Sequence, residues 1–167
     1  NALRGWGVTF LGFVAARFQA VDSPLPLSPT AVLTLLGLVG TAASVLGNEA
    51  SIRMGRRRLI MAAMMSSALC AAGLGFAGPH SYALAVGLLL IYGFIIWLDS
   101  ASLTAGAAGT ADPQRRGATL AVHSTLGYAG GFVGPLIIGW TLDLMGGNSA
   151  MSWGLSFSII GICSLLA

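Results

Sequence analysis

The chain contains no lysine, and its 167 residues include only eight arginines, five acidic residues and two cysteines. Charged residues make up 8% of it, against about 25% in an ordinary soluble domain. So few charges cannot solvate a soluble domain of this length. What is abundant is apolar: hydrophobic residues reach 56% and the mean hydropathy is +0.85. The formal charge of +3 does not point to nucleic acid, because the arginines are gathered in short stretches between apolar runs. In such places arginine orients membrane spans and meets lipid headgroups. Cys70 and Cys163 lie in apolar runs without metal-ligand spacing and read as small buried hydrophobes. No phosphate-binding glycine loop and no nucleophile–base arrangement stands out, so no metal, no cofactor and no enzyme activity is expected.

The organising stretch is GNEASIRMGRRR, residues 47–58, with Arg53, Arg56, Arg57 and Arg58 inside six positions. Apolar runs flank it at 31–46 and 59–77. Four guanidiniums cannot sit in hydrocarbon, so the expectation is a short wet hairpin joining two spans. Six spans follow, at about 5–19, 30–47, 59–77, 82–109, 118–142 and 151–167, which makes the chain an all-α polytopic transmembrane helix bundle and a single domain. The loops at 48–58 and 110–117 carry six arginines between them and the opposite loops carry none. By the positive-inside rule the arginine-rich side is cytoplasmic, and the expected location is an integral one in a plasma membrane of the bacterial inner-membrane kind. The start at Asn1, without a basic n-region or cleavage site, reads as no signal peptide and as a first span cut short.

Local signals fill in this outline. Residues 21–29 form a Pro- and Ser-rich loop, and Ser28-Pro29 is a good helix start. On span two, Thr34, Gly37, Thr41, Ser44 and Asn48 share a face that is expected to pack on another helix. Span three, with Met61, Met64 and Met65, reads as peripheral and lipid-exposed. On span five, Gly127, Gly130, Gly131, Gly134 and Gly139 read as a small-residue packing device, with a bend at Gly134-Pro135. Trp153 stands where an interfacial aromatic would.

Four residues are candidates for contact with a substrate or a proton. Asp99 lies eleven residues before Thr110, about 16 Å deep and close to the bilayer middle. A carboxylate there is expensive, and it is read as taking up a proton or binding a cationic group. Tyr92 shares its face with Asp99, Ser102 and Gly106. His123 lies about 9 Å from the cytoplasmic end among glycines, where an interhelical hydrogen bond competes with a proton relay. Arg4 points about 140° away from Arg17 on the first span, so the two do not share a pocket wall. Arg4 either binds an anionic substrate or snorkels.

The sequence 48–57 also resembles the loop signature of the major facilitator superfamily of transporters, Gly-x-x-x-Asp-Arg-x-Gly-Arg-Arg/Lys. Arg53, Gly55, Arg56 and Arg57 match it, Asn48 stands at the first glycine and Ile52 at the aspartate, with Glu49 and Arg58 alongside. The stretch 112–143 is similar to the tenth-to-eleventh helix region of that family. The resemblance implies the C-terminal six-helix half of such a protein, helices seven to twelve, whose partners are the bilayer, a small-molecule substrate and a missing N-terminal half. It implies secondary active transport by alternating access, driven by a proton or solute gradient, with spans one and four lining the cavity. Two other readings stand beside it. One is a non-transporting membrane scaffold or sensor subunit, the other an intramembrane enzyme using Asp99 and His123.

Overall fold

The structure, a computed structural model, describes residues 2–19 and 27–166. Most of the expected 21–29 loop, and the last residue of span six, lie outside the described residues. The described chain forms six α-helices: α1 (Ala2–Gln19), α2 (Pro29–Met54), α3 (Arg56–Ala77), α4 (Tyr82–Thr110), α5 (Arg116–Leu144) and α6 (Ala150–Leu166). The helices α2 to α5 are long and apolar enough to cross a membrane. The described parts of α1 and α6 are shorter, at 18 and 17 residues.

Helix starts follow side-chain chemistry. Ser28 accepts from the Ala31 amide at 3.2 Å with Pro29 at the first helical position. Ser81 caps α4 through the Leu84 amide after the Gly78–His80 turn. The Tyr82 hydroxyl donates to the Leu27 carbonyl at 2.8 Å and ties the start of α4 to that of α2.

The arginine stretch is an even tighter junction than the short wet hairpin expected. The polypeptide stays helical through 48–54 and again from Arg56, and Gly55 alone breaks it, at φ 85. Glu, Ala, Met and Arg all favour helix, so reversing the chain needs only one left-handed residue, which glycine adopts without strain. Glu49 and Arg53 form an i,i+4 ion pair at 2.8 Å on the exposed surface of that last turn. Across the junction, Arg56 lays its stem on α4 where Gly106 has no side chain; a Cβ there would come 2.9 Å from Arg56 Cδ. The α2–α3 junction and the end of α4 are thus at the same end of the bundle. The α4–α5 loop, with Asp112, Arg115 and Arg116, starts from that end, and Asp112 Oδ1 accepts from the Gln114 amide at 2.9 Å.

The helix α4 is the hub, touching α1, α2, α3 and α5; its closest partner is α2, and α3 packs closely on α6. Glycine makes both close approaches possible. On α2 the buried face is Val32, Leu36, Gly40, Ala43, Gly47 and Ser51. A Cβ on Gly47 would collide with the Leu98 carbonyl, and one on Gly40 would enter the Trp97 ring. Between α3 and α6, a Cβ on Gly75 would come 2.7 Å from Gly154 Cα.

Three local expectations change. The face of α2 carrying Thr34, Thr41 and Asn48 is exposed, with open space beside Gly37. Packing selected the neighbouring face, because Gly40 and Gly47 let two backbones meet while Leu36 fills the gap beside Gly93. The helix α3 is not merely peripheral: Leu59, Ala63, Ser67, Ala71 and Leu74 are buried, and only the Met61, Met65 and Leu69 side faces out. Trp153 is fully buried instead of interfacial. It stacks on Phe157 at 5.7 Å and meets Trp6, Phe10 and Phe13 of α1, forming the aromatic joint that holds α1 to α6. Outside, Leu38, Val45, Leu69 and Trp140 are each about two-thirds or more exposed, an outer surface suited to lipid.

Candidate functional site

An open cavity of about 440 Å³ lies between α1, α4 and α5. Leu3 and Arg4 come from α1, Ile96, Trp97, Ser100 and Thr104 from α4, and His123, Ser124, Gly127 and Tyr128 from α5. Along α4 these residues span about 9 to 21 Å from its Thr110 end, at 1.5 Å per residue. The cavity therefore begins about 9 Å in from the arginine-rich end and reaches the helix middle. Its volume falls within the range of sites that hold small organic molecules.

Trp97 is its fixed wall. The ring lies against Gly40 of α2, and the Arg4 guanidinium sits over it with Cζ 4.7 Å from a ring centroid. This is a cation–π contact, and it holds the guanidinium by its face while its N–H edge makes no hydrogen bond among the described residues. Arg17 lies over Phe13 at 5.8 Å and does not line the cavity, in keeping with the opposite directions expected of the two arginines.

A hydrogen-bonded pair crosses from α4 to α5. Thr104 gives its one hydroxyl proton to the Ser100 carbonyl at 3.1 Å. At the 3.2 Å contact between Thr104 Oγ1 and His123 Nε2, the histidine is then the donor. His123 is therefore the interhelical bridge that the sequence allowed, and it also faces the cavity.

Of the four candidates, the structure brings Arg4 and His123 together and leaves the other two apart. Tyr92 is 5% exposed, in the apolar core. Asp99 is half-buried, next in sequence to the lining Ser100 but not itself in the lining. One helical step turns a side chain by 100°, enough to move it from the cavity wall to the flank. Among the described residues no ion pair reaches Asp99. Sequence reasoning missed Trp97, Ser100, Thr104, Ser124 and Tyr128. A hydroxyl count along α4 and α5 held the signal for four of them, since Ser100/Thr104 and Ser124/Tyr128 recur at helical spacing.

Gly127 and Gly130 have open space beside them, and α5 continues unbroken through Gly134-Pro135. Packing is found at the far end of the series. Trp6 Nε1 donates to the Pro135 carbonyl at 2.9 Å, and its ring lies where a Cβ on Gly139 would be 3.1 Å away. These contacts pin α5 to α1 beside the cavity.

Comparison with known proteins gives a similarity consistent with this architecture. No family model and no solved structure matches the chain. Over 135 residues it is 30% identical to YfnC of Bacillus subtilis (strain 168), an uncharacterized MFS-type transporter; the match covers 81% of this chain and 31% of that protein. The chain thus spans about a third of the length of this curated relative, and over most of its own length it is similar to an MFS-type transporter, where MFS denotes the major facilitator superfamily.

Proposed function

We propose that the chain is part of a secondary transporter of the major facilitator type and that the cavity between α1, α4 and α5 is one wall of its solute path. The observation that carries this is the cavity itself: polar side chains from three helices converge on an open, largely exposed hollow on one side of a bundle whose other exposed faces are mainly apolar. A membrane-embedded hollow with hydroxyls, an arginine and a histidine has no use in a passive scaffold, whereas a path for a polar solute requires one. In this reading the six helices are the C-terminal half of the transporter, the arginine-rich end is cytoplasmic, and α1 and α4 contribute the cavity wall. Alternating access moves the solute past Arg4 and Trp97. Asp99, on the flank of the wall, is assigned the coupling proton or a cationic group.

Filling the hollow tests this without knowing the solute. Gly127 lines the cavity and has no heavy atom within 4 Å of its would-be Cβ. Gly127→Trp in the full chain is therefore expected to leave thermal stability nearly unchanged while blocking the path. Energised inside-out vesicles would be incubated with a cell extract and their contents read by mass spectrometry. At least one small solute should accumulate with the parent chain and fall to the background of empty vesicles with Gly127→Trp. Identical vesicle contents for the parent, the variant and empty membranes would contradict transport.

A further inference from the structure

We infer that the solute taken by this cavity is a small organic anion. The inference rests on the cavity being the solute path and adds the chemistry of what it holds. Among the described residues Arg4 is the only formally charged one in the lining, and neither aspartate nor glutamate contributes to it. Among the described residues the one ion pair is Glu49–Arg53, at the far end of α2, so Arg4 has no carboxylate within 4 Å. Its neighbour is Trp97, which fixes the guanidinium by its π face and leaves the donor edge for an acceptor. Arg4 is exposed on the cavity side of α1, so its donor edge is open to a solute, and a carboxylate or phosphonate group entering the cavity would supply the charge-assisted partner it lacks.

The remaining lining fits the rest of such a molecule. Ser124 and Tyr128 make no side-chain hydrogen bond among the described residues, so their hydroxyls are available as donors to an anion or to a polar substituent. Ile96 and the Trp97 ring offer apolar wall, and about 440 Å³ is far more than a bare inorganic ion fills. A cationic solute would find no carboxylate among the described lining residues and would meet Arg4.

Charge selectivity of the hollow can be read with two thiol reagents of opposite sign. In the full chain, with Cys70→Ala, Cys163→Ala and any other cysteine replaced, Ser124→Cys would place a thiol in the lining. Inside-out vesicles would be treated with the anionic sulfonatoethyl methanethiosulfonate or the cationic trimethylammonioethyl methanethiosulfonate, each rate divided by that with free 2-mercaptoethanol. Any effect of Arg4 on ionisation of the thiol is common to both reagents and divides out of their ratio. The corrected ratio should favour the anion by about tenfold, the low end of what one-signed clefts achieve. It should fall to about one in Arg4→Gln and be largely retained in Arg4→Lys. A ratio at or below one in the Arg4 chain, or one unmoved by Arg4→Gln, overturns the anion inference while leaving a wet cavity in place. Failure of both reagents to reach the thiol would overturn the cavity reading and this inference with it.

Discussion

Gly47→Ala is expected to lower the thermal stability of the protein, whereas Gly37→Ala on the same helix should leave it unchanged or raise it slightly. The added methyl is the same in both, and the surroundings differ. At Gly47 the new Cβ collides with the Leu98 carbonyl, which is backbone and cannot rotate away. Either α2 must move off α4 or both must bend, and forced overpacking of this kind costs about 1–3 kcal/mol. At Gly37 no heavy atom lies within 4 Å of the added Cβ, so the substitution only gains the helix preference of alanine, about 0.5–1 kcal/mol. The two variants should therefore move in opposite directions. Thermal unfolding in detergent, followed by the loss of monodisperse protein on size exclusion, checks this. Equal behaviour of the pair would show that α2 does not meet α4 through this face.

The second large effect is expected at Trp153. It is fully buried and touches Trp6, Phe10 and Phe13 of α1 as well as Phe157 of its own helix. Trp153→Ala removes the centre of that cluster, and truncations of this size in a packed core cost about 3–5 kcal/mol. Trp153→Phe should be far milder. The indole N–H is buried without a partner, so its removal loses no hydrogen bond and leaves one fewer unsatisfied donor. The consequence reaches the cavity, because α1 carries Arg4. A loosened α1 should release the guanidinium from Trp97, so that Trp153→Ala weakens the anion preference at Ser124→Cys even in molecules that remain folded. Comparing melting temperatures for the two substitutions, and then the reagent ratio in the survivors, separates these effects.

Much of this architecture was legible in the residues, and the physical reasons are specific. Arginine is so costly in hydrocarbon that the 53–58 and 115–116 clusters had to mark helix ends, and the contact of Arg56 with Gly106 puts the α2–α3 junction at the end of the bundle where α4 leads into α5. Ser28-Pro29 announced the start of α2 because its cap is local. The azimuth of each helix was harder to read. On α2 the threonine stripe and the Gly40–Gly47 face are both helical in period, and only the partner helix decides which is buried. Depth along a helix is likewise easier to count than direction: Asp99 has the depth of the lining residues, yet the cavity wall passes through its neighbour Ser100. Trp97 gave no periodic signal at all, since its place depends on a glycine of another helix and an arginine of a third.

The central claim is that the hollow between α1, α4 and α5 opens alternately to the two sides of the membrane. Ser100→Cys in the otherwise cysteine-free full chain tests it most directly, because Ser100 lines the cavity at about the helix middle. A membrane-impermeant thiol reagent would be applied from the outside in intact cells and from the cytoplasmic side in inside-out vesicles, with and without an imposed ion gradient. The account predicts labelling from both sides, with the gradient raising the rate from one side as it lowers the rate from the other. Labelling from one side only, unmoved by the gradient, would show a static pocket and contradict it.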